Sequence, residues 1–159
     1  MRAALLGALL ALSCGGERQV DVGAAIEIRG VNPGEIGAVQ LAVIGNAQKY
    51  QCRDLLKSCL STNTAALADL VPIRGDDGVD HRVLRVKAGD VVLAGGTTIK
   101  LNLPAGSNYM VVAEVLSLDE SHLLASGCDL RQDVPKGDNP GLTLVARPQD
   151  PAPTCDPRL

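Results

Sequence analysis

One stretch, TTIKLNLPAGSNYMVVAEVLS at residues 97–117, decides the fold of this chain. In its first half apolar and polar side chains alternate with a period of two, the apolar positions being Ile99, Leu101 and Leu103 and the polar ones Lys100 and Asn102. Such alternation is typical of a β-strand with one buried and one exposed face. Pro104 and Gly106 then predict a turn that ends the strand, because proline cannot donate a hydrogen bond to the sheet.

The second half, YMVVAEVLS at 109–117, is apolar at nearly every position and predicts a strand at the centre of its sheet. Strand patterns also occur at 19–30, 36–45, 81–89, 122–128 and 142–147. In the first of these the apolar positions are Val20, Val22, Ile26 and Ile28, and the polar ones are Asp21, Glu27 and Arg29. About seven short strands with frequent turn signals predict an all-β fold, an antiparallel β-sandwich. A single strongly curled barrel is the alternative.

The segment 47–70 lacks this alternation, and we expect it to hold one short helix. Asn63 or Thr64 provides an N-cap, whose side chain accepts a hydrogen bond from the first helical turn. The residues Ala65–Leu70 then follow as the helix itself.

The tail at 148–159 is rich in proline, which excludes it from a central strand. We therefore expect an extended strap that is held against the domain only if Cys155 forms a disulfide. The β-sandwich domain itself is expected to occupy residues 20–147.

The amino terminus has the layout of a secretory signal. Arg2 is followed by an apolar run at 3–12, which ends shortly before Cys14. A positive charge, an apolar run and a small residue are the three parts of such a signal. The run is too short for a transmembrane helix, which needs roughly 20 apolar residues. We expect residues 1–13 to be removed.

The sequence Ala11-Leu12-Ser13-Cys14 resembles the lipobox of bacterial lipoproteins, in which a leucine and small residues precede a cysteine. Ser13 and Cys14 match the pattern, and Ala11 stands where the family prefers leucine. The resemblance implies that the signal is cut before Cys14 and that Cys14 carries a diacylglycerol. The alternative is an ordinary secretory signal, with Cys14 left as a spare or paired thiol.

The lipoprotein resemblance also implies where the domain sits. Two or more acyl chains anchor a protein stably, and the tether at 14–19 reaches only about 15–20 Å when extended. The domain is therefore expected close to its membrane. Gly15 replaces the aspartate that holds enteric lipoproteins at the inner membrane, so the resemblance favours the outer membrane.

The segment 104–117, PAGSNYMVVAEVLS, resembles part of the transthyretin-like and carboxypeptidase-regulatory-like domains. Those domains often show an apolar strand, a Pro-x-Gly turn, a tyrosine and a further strand. The resemblance implies an Ig-like or transthyretin-like sandwich and no particular activity.

Composition limits the core and the partners. The chain has no phenylalanine or tryptophan, and its tyrosines are Tyr50 and Tyr109, so the core must consist of aliphatic residues. Aliphatic side chains bury less area than aromatic ones, which makes covalent cross-links valuable. Removing 13 residues from 159 leaves 146, and loss of Arg2 changes the formal charge from −3 to −4. Such an acidic chain has no basic patch, so nucleic acid is not an expected partner.

Four cysteines remain beside Cys14, namely Cys52, Cys59, Cys128 and Cys155. An even number suits disulfide pairing in an oxidising compartment. Three connectivities are open, and we expect the most local one, Cys52–Cys59 with Cys128–Cys155. The residues between Cys52 and Cys59 must then bend, because a continuous helix would separate them by about 10.5 Å, beyond the ~7 Å limit between disulfide Cα atoms. A metal or redox site is disfavoured, since the sequence has no CxxC motif.

The segment RGDDGVDH at 74–81 is a candidate calcium site. It places oxygen ligands on a glycine-containing turn, and the candidate ligands are Asp76, Asp77, Asp80 and His81. The spacing does not fit an EF-hand loop, and the alternative is a solvated hairpin end.

The segment LDESHLL at 118–124 is a candidate catalytic cluster, with Asp119, Glu120, Ser121 and His122. Neighbouring residues of a strand point to opposite faces, which argues against a dyad of Ser121 and His122. We expect a polar turn between two strands instead.

We therefore expect a non-catalytic lipoprotein of the cell envelope whose sandwich binds or supports an envelope protein or a glycan. No catalytic residue and no cofactor is assigned, because the sequence has no GxSxG, HExxH or phosphate-binding glycine loop. The alternatives are a metal-dependent or hydrolytic enzyme acting at 74–81 or 119–122, and an accessory subunit of a secretion or surface-assembly system.

Overall fold

The computed structural model describes residues 19–75, 77–90, 97–135 and 141–157. The expected signal at 1–13 and Cys14 lie outside the described residues. The strands within these ranges are β1 (Gln19–Ile28), β2 (Ile36–Ile44), β3 (Ile73–Arg74), β4 (Asp80–His81), β5 (Val83–Lys87), β6 (Thr97–Pro104), β7 (Gly106–Ser117), β8 (Leu123–Val134) and β9 (Leu142–Pro148). The helices are α1 (Cys52–Leu55) and α2 (Thr64–Ala68), with short 3-10 turns at Pro33–Glu35, Ala47–Lys49, Leu60–Thr62 and Ala88–Asp90.

The strands of the described ranges form one sheet in the order β4-β3-β6-β1-β9-β8-β7-β2-β5. The last strand, β9, joins its two halves. Residues 142–146 pair in parallel with β1, whereas Arg147 and Pro148 pair antiparallel with β8. The all-β prediction is confirmed, but the described ranges contain nine strands instead of about seven, the β1–β9 pair is parallel and not antiparallel, and the sheet is curled into a half-barrel.

The concave face of the curled sheet encloses the main core, to which both halves contribute. The alternation predicted for β1 is observed, since Val20, Val22 and Ile26 are buried. In β6 the predicted inward residues Ile99 and Leu103 are buried as well. The side chains of Asp21 and Leu101 lie outside the described set. The core is therefore aliphatic, as the composition requires, except for the buried Tyr109.

Strand β7 is buried on both faces, which explains its continuous apolar sequence. It lies between β8 and β2, so the prediction of a central strand is confirmed. Its inner side chains join the main core. On the outer face Met110 and Val112 pack against the segment 47–66, whose contributing residues are Ala47, Leu55, Leu60 and Ala66. The segment 47–66 is thus a cover over the outer face of the sheet, and we call it the helical cover.

The helix predicted after Asn63 is confirmed, but the same segment also contains α1, so the expectation of a single helix is wrong. The Asn63 side chain accepts a hydrogen bond from the backbone N–H of Ala66 at 3.1 Å, which is the N-cap interaction. The helix ends at Ala68, earlier than the expected Leu70, because Leu70 instead pairs with Ile44 of β2. Among the described residues, no helix has the length and apolarity needed to cross a bilayer.

The expected disulfide connectivity is wrong. The structure pairs Cys52 with Cys128 and Cys59 with Cys155, with Cα–Cα distances of 5.6 and 5.3 Å. The local pairing fails because the helical cover lies across the sheet, so its two cysteines meet different elements. Cys52 begins α1 beside β8, whereas Cys59 is buried against Leu116, Leu123 and Cys155.

The described tail after β9, residues 149–157, runs along the β7–β8 turn; we call it the strap, and its Cys155 is bonded to Cys59. The backbone N–H of Cys155 donates to Ser121 O at 2.7 Å, and the N–H of Leu123 donates to Pro153 O at 2.9 Å. Asp156 adds a bond from its backbone N–H to Ser61 Oγ at 2.9 Å. The strap therefore connects the helical cover to the turn between β7 and β8.

Gly127 lies where β9 passes closest to β8. A Cβ atom at this position would lie 2.8 Å from Val145 O and 3.1 Å from Ala146 N, both of which are backbone atoms. Gly127→Ala is therefore expected to lower the free energy of unfolding by about 1–3 kcal/mol through overpacking. Gly23→Ala in β1 is the matched control, because a Cβ there meets no atom within 4 Å. Urea unfolding of both variants tests this, and equal midpoints would contradict it.

Candidate functional site

The candidate calcium ligands lie in a hairpin whose polar groups bind one another. Asp77 accepts a hydrogen bond from the Val79 N–H at 2.9 Å and lies 2.8 Å from His81 Nε2. These two contacts lower the pKa of Asp77. Arg74 Nε donates to Asp80 at 2.9 Å, and Asp76 lies outside the described residues. Within the described ranges, no group of three or more potential ligands is arranged to hold a metal ion.

A cleft of about 330 Å³ lies beside this hairpin, between β5 and β6. Its walls include Leu84, Ile99 and Lys100, with Asp77 and His81 at the hairpin side. At this cleft β5 and β6, which belong to different halves of the curled sheet, lie near each other, and their described residues form no strand pair.

The residues of the second candidate cluster lie in the turn between β7 and β8, as expected. Ser121 Oγ lies 2.6 Å from Asp119 Oδ2 and 2.7 Å from His122 Nδ1. The argument that Ser121 and His122 point to opposite faces applies only to a strand, and Ser121 lies in the turn, outside β8. The three side chains therefore form a hydrogen-bonded chain.

The order of groups in this chain decides its chemistry. An ionised carboxylate only accepts hydrogen bonds, so the single hydroxyl proton of Ser121 points to Asp119. His122 Nδ1 must then donate to Ser121 rather than remove its proton. Hydrogen bonds from Ser117 and Ser121 hold the pKa of Asp119 far below its ordinary value, which makes the carboxylate a weak base. A catalytic triad needs the base next to the serine and the carboxylate behind the base, and this arrangement is different.

Glu120 leaves the turn in the opposite direction and is nearly buried. Its backbone is left-handed, with a φ of 58°, which turns the side chain toward β5. Glu120 Oε1 accepts from Lys87 Nζ at 2.9 Å, and Oε2 accepts from Arg85 Nη1 at 2.7 Å. The hydrogen bond from Lys87 makes the largest contribution to lowering the pKa of Glu120, and the charge of Arg85 lowers it further. Glu120 is therefore separate from the Asp119–Ser121–His122 chain.

Arg85 begins a polar row that crosses the outer face of the sheet beneath the helical cover. The row consists of residues in register on neighbouring strands, namely Arg85, Gln40, Glu114 and Ser126. Arg85 Nη2 donates to Gln40 Oε1 at 2.7 Å, and Gln40 Nε2 donates to Glu114 Oε2. Ser126 Oγ donates to Leu56 O at 3.3 Å. We call these four residues the polar row.

Glu114 is the buried centre of the polar row, with 2% of its surface exposed. Its Oε1 accepts a hydrogen bond from the backbone N–H of Leu60 in the helical cover at 2.7 Å. Burial raises the pKa of Glu114, while the bonds from Gln40 and Leu60 and the charge of Arg85 oppose that rise. Sequence reasoning missed this residue. The available signal was a lone glutamate in an otherwise apolar strand.

A second cleft, of about 380 Å³, lies at the end of the sheet where β2 begins and β7 ends. It is lined by Glu35, Leu118, Asp119, His122, Leu124 and Ala152. Leu118 is 70% exposed at its edge. We call it the turn cleft. Its lining comes from the β1–β2 connection, the β7–β8 turn and the strap, which are far apart in the sequence.

Comparisons with known proteins provide no relative. No family model, curated protein or solved structure matches this chain. The resemblances to the lipobox and to transthyretin-like domains therefore rest on the quoted residues alone.

Proposed function

We propose that this chain is a non-catalytic lipoprotein of the bacterial cell envelope, anchored through Cys14, whose β domain binds or supports an envelope protein or a glycan. One observation carries the proposal. The four cysteines of the domain pair among themselves, with Cα–Cα distances of 5.6 and 5.3 Å, and leave Cys14 as the odd one. Structural disulfides are typical of proteins outside the reducing cytosol, and an odd cysteine after an apolar run fits lipid attachment.

The start of the fold supports a membrane-proximal position. The described part of strand β1 begins at Gln19, five positions after Cys14, the proposed lipid-bearing residue. A tether of this length reaches about 15–20 Å when fully extended. In the proposal, the end of the sheet that contains Gln19 and its partner Pro104 faces the bilayer of the outer membrane.

The chemistry of the described side chains supports a role in binding. Asp119 and His122 hold the Ser121 hydroxyl between an acceptor and a donor, and neither of these two contacts activates it as a nucleophile. Glu114 and Glu120 are occupied by partners within the domain. No cofactor is part of the proposal.

The proposal includes a finer description of the fold, an Ig-like or transthyretin-like sandwich in which β9 passes from one half to the other. One feature supports it, namely that the inner faces of both halves share one core. Antiparallel sandwiches pack two sheet faces around a common core in this way.

Lipid attachment at Cys14 is tested by metabolic labelling with an alkynyl palmitate in a bacterial host with two membranes. The wild-type protein is expected to carry the label, and Cys14→Ser is expected to lose it completely. Ser13→Ala is the matched control, because alanine is also accepted at that lipobox position, and it should remain labelled. Mass spectrometry should find the mature amino terminus at Cys14. An unmodified wild-type protein that begins at Met1 would overturn the proposal.

Membrane choice is tested in the same host by fractionation. Gly15→Asp is expected to stay labelled and to move from the outer to the inner membrane fraction, because the aspartate is the retention signal in enteric-type sorting. Wild-type protein in the inner membrane fraction would contradict the outer-membrane assignment while leaving the anchor intact.

A further inference from the structure

The turn cleft lies at the end of the sheet opposite to the tether. Strand β6 ends at Pro104, beside Gln19, and β7 starts two residues later at Gly106. The other end of β7, Ser117, is therefore at the far end of the sheet. The 12 residues of β7 span about 35–40 Å at the rise of a strand. The cleft thus lies on the side of the domain that points away from Gln19.

We propose that the turn cleft docks an extended segment of a partner polypeptide that presents aliphatic side chains flanked by basic residues. The outward direction of the cleft rests on the proposed lipid anchor, whereas the binding chemistry rests on the lining residues alone. The proposal thus specifies the chemistry of the protein partner that the β domain binds.

The aliphatic part of the partner is inferred from the floor and the edge of the cleft. Leu118, Leu124 and Ala152 provide apolar surface, and a volume of about 380 Å³ accommodates more than one aliphatic side chain. Leu118 is the most exposed large apolar residue of the described ranges, at 70% compared with 47% for Leu130. Burying a leucine side chain contributes about 1.5–3 kcal/mol to association. The described lining of the cleft has no phenylalanine, tyrosine or tryptophan, the side chains with the largest apolar ring faces, which disfavours stacking of a sugar ring.

The basic part of the partner is inferred from the charge of the rim. Glu35 and Asp119 are both exposed and acidic, and the cleft has no lysine or arginine among its described lining. Lys87, which belongs to the same end of the sheet, is already paired with Glu120 at 2.9 Å. An acidic rim attracts a cationic partner and repels an anionic one, which sets both the association rate and the specificity.

The cleft also depends on the strap. Ala152 forms one wall, and the strap that carries it is fixed by the Cys59–Cys155 disulfide and by the bond from the Cys155 N–H to Ser121 O at 2.7 Å. Reduction of that disulfide is therefore expected to abolish binding. It removes the wall that the strap provides, although it does not alter the lining residues of the β7–β8 turn.

The test uses the purified, disulfide-bonded full chain and two fluorescent peptides. Each peptide has a pair of leucines at its centre, flanked by lysines in one and by glutamates in the other. The lysine peptide is expected to bind at least tenfold more tightly. Leu118→Ser should weaken its binding at least tenfold, and Leu130→Ser, the matched exposed leucine of β8, should leave it within twofold. Glu35→Gln should weaken binding two- to fivefold and reduce its dependence on salt.

Three results would overturn the proposal. The first is equal affinity for the two peptides. The second is equal behaviour of Leu118→Ser and Leu130→Ser. The third is a Leu118-dependent interaction with phosphatidylglycerol vesicles, or with a second copy of the chain in ultracentrifugation, in place of peptide binding. None of these results changes the palmitate label on Cys14, so failure of the cleft and failure of the anchor are distinguishable.

Discussion

Replacing Cys59 and Cys155 together by serine is expected to lower the free energy of unfolding by about 4–5 kcal/mol. The two residues are separated by 96 positions, and cross-linking so long a loop removes much of the entropy of the unfolded chain. A domain of this size has a total stability of about 5–15 kcal/mol, so the double variant should be close to unfolding. Urea unfolding of the wild type and the double variant measures the difference.

The matched control is the other disulfide. Cys52 and Cys128 are separated by 76 positions, so their replacement should cost a similar amount of stability. Only the loss of Cys59–Cys155 releases the strap, however. Hydrogen exchange at the Leu123 and Cys155 amides, which bond to Pro153 and Ser121, should therefore accelerate selectively in that variant. Equal protection of these amides in both variants would contradict the role assigned to the strap.

The connectivity itself is checked by tryptic mapping without reduction. Arg53 and Lys57 lie between Cys52 and Cys59, so trypsin separates these cysteines into different peptides. We expect the peptide of Cys52 linked to that of Cys128, and the peptide of Cys59 linked to that of Cys155. A peptide pair joining Cys52 to Cys59 would show that the local connectivity is the native one.

Replacing Glu114 by alanine is the second change with a large expected effect, a loss of about 3–5 kcal/mol. The Leu60 N–H and the Gln40 amide would lose their acceptor while remaining buried beneath the helical cover. Each unsatisfied buried donor costs about 1–3 kcal/mol. Glu27→Ala on the exposed side of β1 is the control and should change stability little. A stable Glu114→Ala variant with unchanged exchange at the Leu60 amide would contradict this role.

The same carboxyl group predicts a pH dependence of definite sign. Burial raises the pKa of folded Glu114 above its ordinary value of 4.5, against the opposing charge of Arg85. Above pH 4.5 the unfolded chain releases this proton before the folded chain does, so folding loses stability as the pH rises. Relative to Glu114→Gln, which has no proton to release, the wild type should become less stable from pH 4.5 toward neutrality. A constant difference, or the opposite slope, would contradict the burial argument.

Those parts of the fold that depend on local pattern could be predicted from the sequence. Alternation gave the inward face of β1 and β6, and the run of apolar residues after Tyr109 gave the central strand. The cap at Asn63 gave the start of α2. In each case the neighbouring residues alone decide the conformation, so no knowledge of distant contacts is needed.

The rest required contacts between distant segments. The pairing of Cys59 with Cys155 depends on how the helical cover lies across the sheet, and no local pattern encodes that direction. Gln40 and Glu114 can be buried as polar residues because β5, β2 and β7 align them in register, where their side chains reach a partner. The turn cleft likewise needs Glu35 and Ala152 beside Leu118, which only the finished fold brings together. The polar turn at 118–122 could be predicted from the sequence. The direction in which the Ser121 hydroxyl donates its proton could not be predicted.

The long spacing of the disulfides has a consequence for how the domain is made. A polypeptide emerges amino terminus first, so Cys52 and Cys59 appear together well before Cys128 and Cys155. During that interval the final partners of Cys52 and Cys59 are still absent, and any bond formed between these two cysteines must later be broken to reach the final state. Formation of the final pairs is therefore favoured by late oxidation or by a thiol isomerase, and the yield is expected to fall when oxidation precedes the appearance of the last residues.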